Sequence, residues 1–343
     1  MNDRDRDLIR DAAARLRPLL AGARTAALLT HIDPDGDGIG AEICLQSHLR
    51  TLGIEARVIN TEPLPVRYRF LEPDGGVEVF DPARHEAFVR DADLVFMLDN
   101  SAVARLGPIE AAVRAARGTT ICIDHHDVVE SFWKVNILDS EACATGELVF
   151  QIIKALGGRP DRRAAQAAYV SMVTDTGYFR FSKTSPRCHE AAAEMLAAGV
   201  EPPRVYEEVY ERDSAALLRL TGVALGGLRL EEGDRLAWVS LTHDQIAACR
   251  AETEDTSDIV NELLRIDGVR IAVLFKELPD GRTKLSFRSK GSLDVNRLAA
   301  SFGGGGHSNA AGAVVAMPME RAFESVLPPC RDLLRQSAPA RPA

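Results

Sequence analysis

The sequence has 343 residues, of which 46% are hydrophobic and 27% charged, and its net charge is −9 at pH 7. This length exceeds the usual size of one hydrophobic core and predicts two domains, and the composition excludes a largely disordered chain. The acidic balance disfavours a protein that tracks long DNA or RNA, because its surface repels polyanions. Any nucleic-acid substrate is therefore expected to be short.

The N-terminal segment MNDRDRDLIRD is charged where a secretory signal would be apolar, and no apolar run reaches the roughly 18 residues of a membrane span. These features predict a cytoplasmic protein without a membrane partner. The six cysteines are scattered without CxxC spacing, which indicates buried free thiols rather than disulfides or a zinc knuckle.

The first half of the chain alternates short apolar runs with helical stretches. Such strands, separated by helices, indicate an α/β fold with a parallel sheet that helices cover on both faces. Ligands of such sheets collect at the carboxyl ends of the strands. Polar groups follow three of the apolar runs directly, at 31–37, 99–101 and 124–126.

The second half of the chain has a different pattern. Residues from about 185 to 230 are helical and alanine-rich, and strand-like runs alternate with helical ones beyond them. We therefore expect a catalytic domain at 1–190, a helical connector at 191–230, a smaller mixed α/β domain at 231–335 and a disordered tail at 336–343. The active-site cleft is expected between the two domains.

Several carboxylates and histidines in the first half are candidate metal ligands. Segment 31–38, HIDPDGDG, places His31, Asp35 and Asp37 on a Gly- and Pro-rich turn, although such residues also build ordinary surface turns. Asp99 and Asp175, taken alone, would be interpreted as helix-capping or loop residues.

The segment Asp124-His125-His126 is harder to explain without a metal. Successive titratable groups after a buried strand cost desolvation energy unless something compensates, and a cation would do so. Asp35, Asp37, Asp99 and Asp175 together carry four negative charges, which two divalent ions would neutralise. The His and Asp set favours manganese, with magnesium as the alternative, and a dinuclear site of this kind serves in-line displacement at phosphorus.

In this order, these segments resemble the signature motifs of the DHH phosphoesterase superfamily, which includes RecJ-type exonucleases. Residues 136–147, 174–186 and 303–312 further resemble the NrnA-type branch, which consists of bifunctional nanoRNases and phosphatases of 3′-phosphoadenosine 5′-phosphate (pAp). The last of these segments looks like the nucleotide-binding signature of the DHH-associated C-terminal domain. The resemblance covers residues from about 10 to 335.

The resemblance implies a role for each candidate residue. One metal ion would be held by His31, Asp35 and Asp99, and the other by Asp37, Asp99, His125 and Asp175, with Asp99 as the bridge. His126 would face the substrate phosphate. We expect Asp124 to orient one of the histidines through a hydrogen bond, which fixes the tautomer of the ring.

The C-terminal domain is expected to bind the substrate. Residues 283–290 alternate as a half-buried strand does, so that Lys284 and Arg288 share a face from which a guanidinium could grip a phosphate, unless this is a solvated basic strand. The glycine run 303–306 lets backbone N–H groups approach an anion, but it could equally be a flexible turn. The further candidates for substrate binding are Ser289, Gly304, Gly305, Gly306 and Arg180, together with His307, which contacts the nucleotide in the family.

These features predict a hydrolase that takes mononucleotides from very short RNA, such as pGpG or pApA, and removes the 3′-phosphate of pAp. A stand-alone cyclic di-AMP phosphodiesterase would have the same metal centre and stays an alternative. A catalytically silent nucleotide sensor is the alternative from another class, and the complete set of ligand-type residues argues against it. The relatives often dimerise, so a homodimer is expected.

Overall fold

The computed structural model describes residues 3–72, 75–126, 130–254 and 256–336, and the chain divides into two compact units, Met1–Arg212 and Asp213–Ala343. The division falls within the segment that was predicted as a helical connector. From residue 337 onward, the predicted disordered tail lies outside the described residues. None of the helices in the described ranges combines the length and the apolar character needed to cross a membrane.

The first unit is built on a parallel sheet with the strand order β3-β2-β1-β4-β5-β6. Its strands are β1 (Thr25–Leu29), β2 (Glu55–Asn60), β3 (Val77–Val79), β4 (Leu94–Leu98), β5 (Thr119–Asp124) and β6 (Val135–Leu138). Its helices are α1 (Asp3–Gly22), α2 (Gly36–Thr51), α3 (Pro82–Asp91), α4 (Glu110–Arg114), α5 (Thr145–Ala155), α6 (Arg162–Asp175), α7 (Pro186–Ala197) and α8 (Pro202–Tyr210), with short 3₁₀ helices at Val66–Leu71 and Val103–Ile109.

Both faces of this sheet are buried. Along β4, Leu94, Phe96 and Leu98 belong to one hydrophobic cluster with side chains of α2, α5 and α6. Val95 and Met97 belong to a second cluster with side chains of α3 and α4. Because successive residues of a strand point to opposite faces, an unbroken apolar run is what a sheet covered on both sides requires. The predicted α/β architecture of this unit is confirmed.

The second unit contains a mixed sheet with the strand order β11-β12-β10-β9-β8-β7, in which β8 and β9 are parallel and the other pairs antiparallel. Its elements are α9 (Ala215–Gly226), β7 (Arg229–Glu231), β8 (Leu236–Leu241), α10 (His243–Cys249), α11 (Ile259–Leu263), β9 (Ile271–Glu277), β10 (Thr283–Ser289), α12 (Val295–Ser301), β11 (Gly305–His307), β12 (Ala310–Val315) and α13 (Met319–Gln336). Leu285 and Phe287 of β10 pack with α12 and α13, and Ala272 and Leu274 of β9 pack with α9 and α11. The predicted mixed α/β domain is confirmed.

Close packing of α2 against α6 positions two of the candidate metal ligands. Gly40 of α2 faces α6, and a Cβ atom at this position would lie 2.4 Å from the carbonyl oxygen of Ala167 and 2.8 Å from Cβ of Ser171. A side chain at position 40 would therefore push the two helices apart. Since α2 carries Asp37 and α6 ends at Asp175, this contact sets the separation of those carboxylates.

Replacing Gly40 by Ala should lower the free energy of unfolding by about 1–3 kcal/mol, because overpacking displaces well-packed neighbours. Urea denaturation followed by circular dichroism measures this change. Gly22→Ala at the end of α1 is the matched control, since a Cβ atom there meets nothing within 4 Å. Equal midpoints for the two variants would contradict the close approach of α2 and α6.

Candidate metal centre

The candidate ligands come from neighbouring strand ends and from two helices. His31 follows β1, Asp99 follows β4, and Asp124 is the last residue of β5, and these strands are adjacent in the order β1-β4-β5. Asp37 lies in the first turn of α2, and Asp175 is the last residue of α6. The carboxyl end of a parallel sheet is where ligands of such folds bind.

The first predicted ligand set lies together. His31, Asp35 and Asp99 offer ligand atoms within 4.8 Å of one another, and Nε2 of His31 lies 3.5 Å from Oδ2 of Asp99. Nδ1 of His31 donates to the carbonyl oxygen of Ile32 at 2.7 Å. This bond leaves Nε2 as the ring nitrogen with the lone pair, which is the form that binds a metal ion.

The second predicted set also lies together, around Nε2 of His125. This atom is 3.5 Å from Oδ2 of Asp37, 3.5 Å from Oδ1 of Asp99 and 3.4 Å from Oδ2 of Asp175. Asp99 thus directs Oδ1 toward His125 and Oδ2 toward His31, as a carboxylate shared between two cations would. Asp37, His125 and Asp175 form one of the groups whose ligand atoms all lie within 4.8 Å.

The environment of His125 tests whether a cation fits. Its Nε2 atom is buried and has no hydrogen-bond partner among the described residues, although three carboxylate oxygens surround it. Nδ1 lies 3.3 Å from the carbonyl oxygen of Ala142 and 3.2 Å from Nζ of Lys183. With the ring proton on Nδ1, the ring donates to Ala142 and Nε2 is left as an acceptor facing acceptors, whereas the Lys183 contact favours the proton on Nε2. A buried polar atom without a partner is costly, and a divalent cation coordinated by nitrogen and carboxylate oxygen would remove that cost. The residues present fit the ions that the sequence predicts.

The electrostatics of the cluster agree with this fit. Burial, followed by the charges of Asp37, Asp35, Asp175 and Asp124, raises the pKa of Asp99 well above its usual value. Burial and the charges of Asp37 and Asp35 likewise raise the pKa of Asp175. Without cations, these carboxylates resist ionisation together, which is the repulsion that their charge count predicts.

Asp124 orients His126, which with Asp99 and His125 forms a third group whose ligand atoms lie within 4.8 Å of one another. Its Oδ1 atom accepts a hydrogen bond from Nδ1 of His126 at 2.7 Å and from the backbone N–H groups of His125 at 2.8 Å and His126 at 3.2 Å. Burial raises the pKa of Asp124, but the hydrogen bond and the charge of His126 outweigh burial, so that this pKa lies below its usual value. The His126 side chain is partly exposed, and its Nδ1 atom lies 3.8 Å from Oδ1 of Asp99.

Asp99 adopts a backbone conformation that residues other than glycine seldom use. Its φ is 60°, in the left-handed region, at a cost on the order of 1–3 kcal/mol. Such strain persists only where the surrounding structure determines the conformation, and it accumulates at functional sites. Here the backbone N–H of Asp99 donates to the carbonyl oxygen of Ile123 at 3.1 Å, which fixes the residue between β4 and β5.

Three residues that hold the carboxylates were missed in the sequence. The backbone N–H groups of Thr145 and Gly146, at the start of α5, donate to Asp37 at 2.8 and 3.0 Å, and Ser171 Oγ also donates to this carboxylate. Thr145 Oγ1 donates to Oδ1 of Asp99 at 3.2 Å. Thr145 and Gly146 lie in the segment 136–147 that resembles the family, and Ser171 precedes Asp175 by one helical turn. These two positions are the features of the sequence from which the three residues could have been identified.

The cations near this site have different roles. Lys183 Nζ donates to the backbone carbonyl oxygen of His125 at 3.2 Å and also lies 3.2 Å from its Nδ1 atom. Arg187 is buried and donates to Glu147 and Asp139, so it forms part of an internal ion-pair network. Arg180 is exposed, and its guanidinium carbon lies 5.2 Å from the centre of the Phe181 ring.

The substrate-binding candidates of the second unit lie on β10 and on the glycine run. Arg288 Nε donates to Oδ1 of Asn261 at 3.0 Å, and Lys284 is partly buried on the same face of β10. Ser289 Oγ donates to the carbonyl oxygen of Leu293 at 2.5 Å and accepts from Asn309 at 2.8 Å, so this hydroxyl stabilises a turn.

Steric constraints differ along the glycine run. A Cβ atom at Gly304 would lie 2.0 Å from the carbonyl oxygen of Gly312, and one at Gly306 would lie 2.4 Å from that of Ala310. A Cβ atom at Gly305 would meet only Oδ1 of Asn296, at 3.9 Å. The backbone of His307 ends β11, but its side chain lies outside what the structure describes.

Thr145→Val should lower the affinity for manganese about 10- to 100-fold, because the Asp99 carboxylate then loses the Thr145 hydroxyl that orients it. Isothermal titration with Mn²⁺ measures the affinity without any turnover. Thr145→Ser keeps the hydroxyl and should bind manganese much as the unmodified chain does. If Thr145→Val also binds like the unmodified chain, Thr145 does not position Asp99.

Comparisons with known proteins assign both units to families. Residues 26–199 match the N-terminal domain of the DHH family, and residues 243–333 match the DHHA1 domain.

Two relatives carry the same name. The chain is 31% identical over 313 residues to the bifunctional oligoribonuclease and PAP phosphatase NrnA of Thermus thermophilus, with 90% of each chain covered. It is 26% identical over 295 residues to the protein of that name from Bacillus subtilis, which covers 85% of this chain and 89% of the relative.

A solved structure is also similar. The crystal structure of an exopolyphosphatase-related protein from Bacteroides fragilis matches with a TM-score of 0.90 at 28% identity, and the match covers 95% of this chain and 98% of that one. With the motifs, the fold and the identity to the Thermus protein in agreement, the chain belongs to the DHH family of phosphoesterases and carries a DHHA1 domain after its DHH domain.

Proposed function

We propose that the chain is a metal-dependent hydrolase that releases mononucleotides from short oligoribonucleotides and converts pAp to AMP. The observation that carries the proposal is the buried Nε2 atom of His125, which lies within 3.5 Å of three carboxylates from separate elements and has no hydrogen-bond partner in the described part of the chain. The relatives from Thermus and Bacillus are named for oligoribonuclease and PAP phosphatase activity, which supports short RNA and pAp as the substrate classes.

The two ions would be manganese, or magnesium as the alternative, and the candidate ligands would hold them in the sets already described. When bound, two such cations activate water as a nucleophile and stabilise the charge that develops on the phosphate oxygens. The protein's own contribution is orientation. The backbone N–H of Thr145 at the start of α5 fixes the carboxylate of Asp37, and Asp124 holds the His126 ring, which we propose faces the substrate phosphate.

The second unit would bind the nucleotide. Asn261 anchors the side chain of Arg288, which holds its guanidinium in place for a phosphate, and Lys284 adds a second positive charge on the same face of β10. The backbone at Gly305 has the open space that close approach of an anion requires. The net charge of −9 gives long polyanions no general attraction, in agreement with a short substrate. The cytoplasmic location, the homodimer and the cleft between the domains stay predictions.

A substrate panel tests this function. With Mn²⁺, we expect release of mononucleotides from pApA and pGpG and of phosphate from pAp, and loss of both activities with a chelator. Asp99→Asn should lower turnover more than about 100-fold, because it removes the charge that both ions would share. Asp11→Asn changes an exposed aspartate of α1 and should leave turnover intact.

The same panel separates the alternatives. A preference of orders of magnitude for cyclic di-AMP over the linear dinucleotides and pAp would replace the proposal with a cyclic dinucleotide phosphodiesterase. Nucleotide binding without turnover of any of these substrates would indicate a silent sensor. Full activity of Asp99→Asn would reject the bridging role of this residue.

Gly305→Ala should leave stability unchanged but raise KM for the dinucleotide roughly tenfold, which is the equivalent of about one hydrogen bond to a charged group. The added methyl group would stand where the anion approaches the backbone. Gly304→Ala is the contrasting variant, because its Cβ atom collides with Gly312 and should lower the melting temperature. An unchanged KM for Gly305→Ala would remove the glycine run from the substrate site.

A further inference from the structure

The loop between α6 and α7 contains three aromatic residues, of which only one is left exposed. The ring of Tyr178 lies edge-on to that of Tyr206, with centroids 5.0 Å apart. Phe179 stacks on the ring of His189 at 5.1 Å. Phe181, in contrast, is 49% exposed. The loop therefore uses two aromatic side chains for packing and presents the third to solvent.

The backbone of this loop is held in an unusual conformation. Gly177, Tyr178 and Phe179 have φ values of 56°, 59° and 64°, all in the left-handed region that residues other than glycine seldom adopt. The N–H group of Phe181 donates to the carbonyl oxygen of Thr176 at 2.8 Å, which closes the turn. Strained conformations of this kind persist where the surrounding packing determines them, and they recur at ligand-binding sites. The backbone position of Phe181 is thus set by the fold.

Phe181 lies on the loop that directly follows the candidate metal ligand Asp175. A Cβ atom at Gly177 would lie 2.5 Å from Cζ of Phe181, so the tip of the ring rests directly on Gly177. Gly177 is two residues from Asp175, a distance of at most about 7 Å along an extended chain. Two residues after Phe181, Lys183 Nζ donates to the backbone carbonyl oxygen of His125 at 3.2 Å. The loop residues before and after Phe181 therefore adjoin candidate metal ligands.

A single exposed apolar residue is ordinary on a protein surface. Phe181 differs because the tip of its ring rests against Gly177 and the guanidinium of Arg180 lies over one face of the ring, with its carbon 5.2 Å from the ring centre, so that a base would stack on the opposite face. An aromatic face next to an exposed guanidinium is the combination that proteins use to hold single-stranded nucleotides, with the base stacked and the phosphate near the charge.

We propose that Phe181 is a stacking platform for one base of the short substrate whose phosphate lies at the metal centre. This inference rests on the proposed function and adds to it a residue that determines substrate affinity. Stacking tolerates any base, because each base has a π face, so the platform favours nucleotides over other phosphate esters without selecting a sequence.

Phe181→Ala should raise KM for a dinucleotide about tenfold or more and leave kcat nearly unchanged, because the stacking contact is the same in the ground and transition states. Phe181→Trp keeps an aromatic face and should retain the low KM. Leu52→Ala is the matched control, since Leu52 is an apolar residue of the same unit with 50% exposure. Circular dichroism checks that each variant is folded.

Two further measurements separate stacking from a structural role. The first measurement is KM for two dinucleotides, each of which has an abasic ribose at a different one of its two positions. Phe181→Ala should not change KM for the dinucleotide that lacks the stacked base. The fluorescence of 2-aminopurine ribonucleoside 5′-monophosphate should be quenched on binding to the unmodified chain and less so with Phe181→Ala. This quenching requires no turnover, so it tests the platform even if the proposed hydrolysis fails. The proposal would be overturned if Phe181→Ala raised KM equally for both abasic substrates, or if it changed neither KM for the intact dinucleotide nor the quenching.

Discussion

Mutual repulsion among buried carboxylates is the constraint on which the first unit depends. Asp37 and Asp99 lie almost fully buried within reach of Asp35 and Asp175, and burial together with the neighbouring charges raises the pKa of Asp99 well above its usual value. Such a cluster is stable only where donors and cations offset its charge. Much of the surrounding structure can be understood as the means by which the fold supplies those donors and leaves room for cations.

The parallel sheet and its helices meet this requirement at one edge. The N-terminal turn of α2 provides amide donors, since the carboxylate of Asp35 accepts from the backbone N–H groups of Asp37 and Gly38 at 3.0 and 3.3 Å. The first turn of α5 provides two more for Asp37. Helix N-termini favour negative charge, and both of these helices direct that end toward the cluster. The architecture thus stabilises carboxylates that it could not hold in an apolar core.

The sequence predicted the groups whose chemistry is visible in a single residue. Aspartates and histidines that directly follow apolar strands had to meet at the carboxyl end of the sheet, and His31, Asp99 and His125 do. Thr145 and Ser171 could not be found in this way, because a hydroxyl becomes informative only when its partner across the fold is known. For the same reason, nothing local distinguished Arg187, which is held in buried ion pairs, from an arginine that binds a ligand.

The candidate ligands are spread along the chain from His31 to Asp175, and this spacing links metal binding to folding. No short segment can assemble the centre, since strands β1, β4 and β5 and helices α2 and α6 must all be in place first. An ion that binds only the folded chain adds to its stability by mass action, by about 2.7 kcal/mol when its concentration is 100 times its dissociation constant. The supply of metal would therefore govern how long the folded protein survives in the cell as well as how fast it acts.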